Sequence, residues 1–474
     1  MGDLDFTGGS IRVPHVSALA AESVRIKQAY AGPMCTPTRA ALLTARYPHN
    51  VGLNGALLTS NPYGLSSNHS TVANWLQAAS YRTHLVGKWH LGHAKWEYTP
   101  TMHGFDEHYG IFGLGVDYFD KTLEGGHDLW HNQKPVYEDR THATHLWARE
   151  AIRVVDSHAV NHADRPLFLY LALTAGHTPL LPSPEHMAPC EHIEQEWRRD
   201  FCGLVVCMDE AVHNVTSAFK RNKMWDDTIV VFSSDNGGDP WSGGHNYPFR
   251  GVKHSAWEGG MRVPAFIHSK KVFGPLGYDY TAGPLHMTDW APTLLSLADV
   301  PIPETLRIDG IDLSLSLKNN DASPRKETVL VMDSTSKQYA IRNGRWKLLH
   351  GHVGDGRLYN EPTGWMNGNN STLDRLFELL AFGIYGLFGK NWGLITAAFF
   401  NIKRIELAQK FGIEPDFDHT AYLFDLDLDP FETNNVAAKH PDIVASLMAR
   451  IEELKVGLPH QFNWLVKDKD GRVR

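Results

Sequence analysis

Pro166-Leu-Phe-Leu-Tyr-Leu-Ala-Leu-Thr-Ala-Gly-His177 is an unbroken apolar run that stops at a glycine and a histidine. Apolarity without alternation predicts a strand covered on both faces, as in a parallel sheet. Thr228-Ile-Val-Val-Phe232 and Val263-Pro-Ala-Phe-Ile267 read the same way, and Tyr81–Val86 reads as a shorter strand. Amphipathic stretches lie between them, at Ser70–Ala79, His145–Ser157, Phe201–Lys220 and His286–Ala298. Strands alternating with helices predict an α/β domain over residues 1–320, a mainly parallel sheet flanked by helices.

Beyond residue 320 the texture changes. Short strands at Val329–Val331, Gln338–Arg342, Arg345–Leu349 and Tyr422–Asp425 precede an amphipathic helix from Pro441 to Leu458. They predict a smaller C-terminal α+β domain over 321–474: an antiparallel sheet with a helix. An insertion at about 367–419 interrupts it. There, Leu379–Gly389 and Trp392–Phe400 are apolar on either side of Lys390-Asn391. The lysine breaks any single span of about 20 apolar residues. The segment 376–400 reads either as an apolar insertion packed on the protein or as a hairpin making peripheral contact with a membrane surface.

The 474 residues are 42% hydrophobic and 21% charged, ordinary for a soluble globular protein. A net charge of −8 argues against nucleic acid as a partner. Four cysteines are too few for a disulfide scaffold. Cys190 and Cys202 are the candidate pair in an oxidising compartment, and Cys207 sits in an apolar run as a buried thiol. The N-terminus, Met1-Gly-Asp-Leu4, has neither the charged nor the apolar region of a signal peptide. Asn68, Asn214, Asn369 and Asn370 stand in glycosylation sequons.

The chemistry concentrates in Met34-Cys35-Thr-Pro-Thr-Arg39 and at three strand ends. Cys35 falls at the start of a predicted helix, where backbone N–H groups favour an anion, with Pro37 in the first turn. Arg39 follows one turn later and reaches back toward the same point. Tyr81–Val86 runs into Lys88 and His90, Leu167–Leu173 into His177, and Thr228–Phe232 into Asp235-Asn236-Gly-Gly238. Ligands in open α/β sheets gather beyond such strand ends. Asp235 and Asn236 are adjacent oxygen donors suited to a hard cation, Ca²⁺ or Mg²⁺. Lys253, in Arg250-Gly-Val-Lys253, is a further candidate cation for the substrate. Alone, each of these has an ordinary structural explanation; three loaded strand ends point to one site.

Taken in order, Cys35-Thr-Pro-Thr-Arg39, Gly87-Lys-Trp-His-Leu-Gly92, Ser234-Asp-Asn-Gly-Gly238, Arg250-Gly-Val-Lys253 and Trp257-Glu-Gly-Gly-Met-Arg-Val-Pro264 resemble the landmarks of the type I sulfatases. His286-Met-Thr-Asp-Trp-Ala-Pro-Thr293, Arg345-Trp-Lys-Leu-Leu349 and Leu426-Asp-Leu-Asp-Pro-Phe-Glu432 extend the resemblance over nearly the whole chain. The loop pattern is most similar to the arylsulfatase B-like branch.

The resemblance implies an alkaline-phosphatase-like fold and hydrolysis of an aryl or carbohydrate sulfate ester. It implies that a formylglycine-generating enzyme converts Cys35 to formylglycine, whose hydrate is the nucleophile. Arg39 then orients the hydrate, Lys88 and Lys253 hold sulfate oxygens, His90 takes a proton and His177 protonates the leaving group. Asp235, Asn236 and residue 35 bind Ca²⁺. The resemblance also implies the secretory pathway, lysosomal or extracellular.

In the family an apolar strand ending in two metal-binding aspartates precedes the position of Gly2. The expectation is therefore a fragment or short form without the family's leader, first strand and aspartate pair; Asp3 and Asp5 do not take that role. Two rival readings remain: a catalytically impaired relative that binds sulfated glycans, and a phosphatase or phosphonate hydrolase of the same superfamily.

Overall fold

A computed structural model describes residues 1–137, 140–274, 277–302, 306–356 and 421–456. The apolar insertion and any membrane contact through 376–400 lie outside the described residues. Among those described, no helix is long and apolar enough to cross a membrane.

The α/β reading holds, with the sheet divided. One five-stranded sheet runs in the order Lys134–Pro135, Trp130–His131, Glu107–Ile111, Arg82–Lys88, Leu167–Ala172, and its last three strands are mutually parallel. A second sheet orders Val230–Ser233, Ala265–His268, Val24–Ile26 and Tyr278–Tyr280, mixing antiparallel and parallel pairs. The stretch expected as one strand at Val263–Ile267 is two, Arg262–Val263 and Ala265–His268, in different sheets. Pro264 separates them, as expected of a residue with no N–H to donate.

Two apolar strands depart from expectation. Leu167 to Leu171 are only half-buried, as are Val230, Val231 and Phe232. Each strand is the edge of its sheet, and the two do not pair with each other. Edge position, not composition, sets their exposure: an edge strand lacks the neighbour that would cover its side chains. Phe6 packs edge-on to Phe232 of one edge strand and to Phe266 of the strand paired with it.

The helices are longer than the sequence suggests, at Ala143–Asn161 and Glu196–Arg221, and their contact supports the first sheet. Thr71 caps the Val72–Ala78 helix in a reciprocal capping box with Asn74. Cys190 and Cys202 form the expected disulfide, and Cys207 is a fully buried free thiol.

The C-terminal strands Glu327–Asp333, Gln338–Asn343, Trp346–Gly351 and Tyr422–Asp425 form an antiparallel sheet packed by the Pro441–Lys455 helix. This sheet is fastened to the α/β half by buried charge. Lys347 lies 2.9 Å from Glu258 and 2.8 Å from Glu432, with all three side chains fully buried. Glu258 also accepts from Tyr30, which in turn accepts from Arg342 at 2.7 Å.

Candidate active site

The Cys35–Thr44 helix opens at the nucleophile candidate itself, with extended Met34 as its cap residue. Cys35 is 4% exposed. Its thiol points at Asn236 Oδ1, 3.5 Å away. Burial pushes the thiol's pKa up, but Lys253 and Lys88 pull it down, helped by hydrogen bonding to His177 and His90. The cations win, and the thiol is held well below its ordinary value.

Arg39, one turn along, bridges the two sheets. It donates to the Lys88 carbonyl at 2.9 Å, the Tyr170 hydroxyl at 3.3 Å and Asp235 at 2.8 Å. Burial opposes its charge, but Tyr170, Asp235 and Cys35 together raise its pKa. Lys88 ends the Arg82–Lys88 strand and is buried, which lowers its pKa despite Cys35 nearby. Lys253 keeps a raised pKa because Cys35, Asp235 and Asp239 outweigh its burial.

The two histidines are polarised by backbone carbonyls. His90 Nε2 lies 2.8 Å from the Leu57 carbonyl, an acceptor, so the proton is assigned to Nε2. Nδ1 is then the basic atom, buried and facing the Cys35 thiol. Burial and Lys88 hold His90 down at about 4. It sits at φ 59°, a left-handed conformation that a non-glycine residue adopts at some cost. His177 Nδ1 faces the Thr178 carbonyl at 2.7 Å, which assigns that proton to Nδ1. Burial, then Lys253 and Lys88, lower its pKa.

Asp235-Asn236-Gly237-Gly238 follows the Val230–Ser233 strand and turns tightly against Gly259-Gly260. A side chain at Gly237 would meet the Gly259 carbonyl at 1.9 Å, so only glycine fits. All six candidates read from sequence, Cys35, Arg39, Lys88, His90, His177 and Lys253, thus interact around one pocket, with Asp235 and Asn236 on its rim. Sequence reasoning missed Tyr170, Asp239 and His254. Tyr170 braces Arg39, and Asp239, its pKa raised by burial, is the counter-charge of Lys253. A polar residue inside the 166–173 apolar run was the available signal for Tyr170. Nothing in the sequence marked the other two.

Asp3 and Asp5 are engaged elsewhere, Asp3 with Arg198 and Asp5 with Ser17. A cavity of about 540 Å³ opens away from this pocket, lined by His93, Lys95, Trp96, Glu124, His127 and Trp130, and none of the six candidates lines it.

A buried cysteine ringed by Arg39, Lys88 and Lys253 suits an anion, and the sheets and helices around it are those of the alkaline-phosphatase-like class. The comparisons narrow this: residues 1–300 match the Sulfatase family, and the chain belongs to it. Its members hydrolyse sulfate esters. The chain is 31% identical to arylsulfatase J of Mus musculus, over 97% of this chain and 75% of that protein. It is 30% identical to N-acetylgalactosamine-6-sulfatase of Sus scrofa, over 66% of this chain and 62% of that one, so it spans less than two thirds of that relative. The crystal structure of Ps i-CgsB with k-i-k-neocarrahexaose superposes with a TM-score of 0.77 at 26% identity, covering 97% of this chain and 91% of that one.

Proposed function

We propose that this pocket hydrolyses a carbohydrate or aryl sulfate ester, with residue 35 acting as formylglycine. The single observation that carries the reading is the convergence of Lys88, Lys253, His90 and His177 on Cys35.

The pocket suits the modified side chain. Arg39 Nε is buried without a partner near the Cys35 thiol, and a group with more oxygen atoms would satisfy it. An aldehyde hydrate at position 35 supplies an oxygen nucleophile. The chain's own residues do the rest. Lys88 and Lys253 hold the sulfate oxygens and stabilise charge that builds there. His90 accepts a proton at Nδ1, since Leu57 occupies Nε2. His177 presents Nε2 to the leaving oxygen, because Nδ1 is committed to Thr178. The bound sulfate favours its imidazolium against the two lysines, and that form donates the proton.

Family members generally use Ca²⁺. Here Asp235 and Asn236 supply two oxygen donors on the correct side of Cys35, against the six to eight that Ca²⁺ takes. Asp235 is already paired with Arg39. Among the described residues no group of three His, Cys, Asp or Glu ligand atoms gathers there. The donors present do not complete a Ca²⁺ site, and no step here passes through the metal. The pairing of Asp235 with Arg39, rather than with a metal, favours a second reading, a protein that binds sulfated glycans without turnover. The Cys190–Cys202 disulfide supports an oxidising, secretory compartment, and the fastening at Lys347 supports a second structural unit beginning near residue 321.

The test is mass spectrometry of the Cys35 peptide from secreted protein, paired with hydrolysis of an aryl sulfate. Formylglycine with turnover supports the enzyme. An unmodified thiol, or a modified protein that binds sulfated oligosaccharide without turnover, overturns it.

A further inference from the structure

A second cluster of ligand-type side chains lies outside the pocket. One ligand atom each from His145, His186 and Cys207 lie within 4.8 Å of one another. His145 is in the first turn of the Ala143–Asn161 helix, His186 ends the short Pro184–His186 turn, and Cys207 lies inside the Glu196–Arg221 helix. His186 is 4% exposed and Cys207 fully buried.

Two features distinguish this cluster from ordinary core histidines. His145 Nε2 and His186 Nδ1 are buried with no hydrogen-bond partner, an expensive state for two polar atoms facing a common space. The opposite nitrogen of each ring faces a carboxylate: His186 Nε2 is 2.7 Å from Glu210, and His145 Nδ1 is 3.9 Å from Glu185. A carboxylate on one ring nitrogen keeps the proton there and leaves the other as a bare lone pair, the arrangement that orients metal-binding imidazoles. Glu210 thus assigns the His186 lone pair to unpartnered Nδ1, while Glu185, at 3.9 Å from His145, supplies charge rather than a hydrogen bond. The Cys190–Cys202 disulfide ties the His186 segment to the helix carrying Cys207.

We propose that His145, His186 and Cys207 bind a borderline-soft divalent cation, Zn²⁺ by ligand type. Two imidazole nitrogens and one thiolate suit Zn²⁺ rather than Ca²⁺, and three protein ligands leave a fourth position for water. Ligand atoms around tetrahedral zinc stand about 3.5 Å apart, so the side chains close by about 1 Å on binding. The metal displaces the Cys207 proton to solvent, while both imidazoles bind as neutral ligands. Glu185, Glu210 and the thiolate offset the ion's charge. The bound ion pins the segment between His177 and His186 to both helices.

The test uses the full chain in a Cys35→Ala background, stripped of metal and titrated with Co²⁺, so that the catalytic thiol cannot contribute. The expected result is one Co²⁺ per chain with a thiolate-to-cobalt charge-transfer band. Cys207→Ser abolishes the band, and Glu210→Gln, which keeps all three ligands, weakens binding about tenfold. Zn²⁺ raises the melting temperature of the Cys35→Ala protein but not of the Cys35→Ala/Cys207→Ser protein, which also reports whether the latter folds. No band in the Cys35→Ala protein, or a band that survives Cys207→Ser, overturns the proposal.

Discussion

The chain twice brings a buried cysteine against two histidines: Cys35 with His90 and His177, and Cys207 with His145 and His186. The ligand types are the same; the surrounding charges are opposite. Around Cys35 stand Lys88, Lys253 and Arg39, and the thiol is held well below its usual value. Around Cys207 stand Glu185 and Glu210, and burial pushes the thiol up to about 12. A thiolate made stable by fixed cations marks a place for an anion. A thiol left neutral beside carboxylates loses its proton only to a cation that replaces it. Neighbouring charge, rather than the cysteine, decides what each site takes.

The sharpest way to break this contrast is replacement of each cysteine. Cys35→Ala is expected to lower aryl sulfate turnover by about 10³-fold or more, whereas Cys207→Ala stays within about threefold, measured as kcat/KM on the same substrate. Equal losses would dissolve the distinction. The next effect is on stability. Lys347→Ala leaves Glu432 buried without its counter-ion and Glu258 with only Arg262, and should cost about 3–5 kcal/mol in denaturant unfolding. It should also disturb Gly259-Gly260, against which Asn236-Gly237 turns, while the cobalt band at Cys207 persists.

Acid acts on both clusters. His90 beside Cys35 and His142 beside Cys207 are each held at about 4 by burial. Their folded pKa lies below the unfolded value near 6.5, so between these limits the unfolded chain binds more protons. Stability is therefore full above pH 6.5 and falls as pH drops toward 4, by about 3 kcal/mol for a fully shifted group. A melting temperature unchanged from pH 7 to 4.5 would contradict this. The smallest effect is a control far from both sites: Arg221→Ala removes an exposed pair with Asp156 and should shift stability by less than about 1 kcal/mol.

The two clusters also differ in how far the sequence exposes them. Cys35 and Arg39 are one helical turn apart, so local geometry alone placed them together. Lys88, His177 and Asp235 were legible because each ends or follows an apolar strand; parallel pairing brings Lys88 and His177 to one side, and Arg39 joins Asp235 to them from the other sheet. Lys253 was legible only as a candidate cation, since it sits on a loop whose path no local rule fixes, and its specific role came from family resemblance. His145, His186 and Cys207 lie on separate elements and meet only through helix packing, which leaves no spacing to read. The apolar runs at 166–173 and 228–232 announced strands correctly, yet hid that both are edges. Composition reports what a strand can bury, and the order of strands decides what it does bury.

Cys35 is 4% exposed, and it is covered by groups made much later in synthesis, among them His177, Asn236 and Lys253. If residue 35 is converted as proposed, the converting enzyme reaches it only while those segments are still unmade or unpacked. Folding and conversion therefore compete in time, and a chain that closes first keeps its thiol permanently. The specific activity of any preparation then records who won that race, so two samples with identical folds can differ widely in turnover.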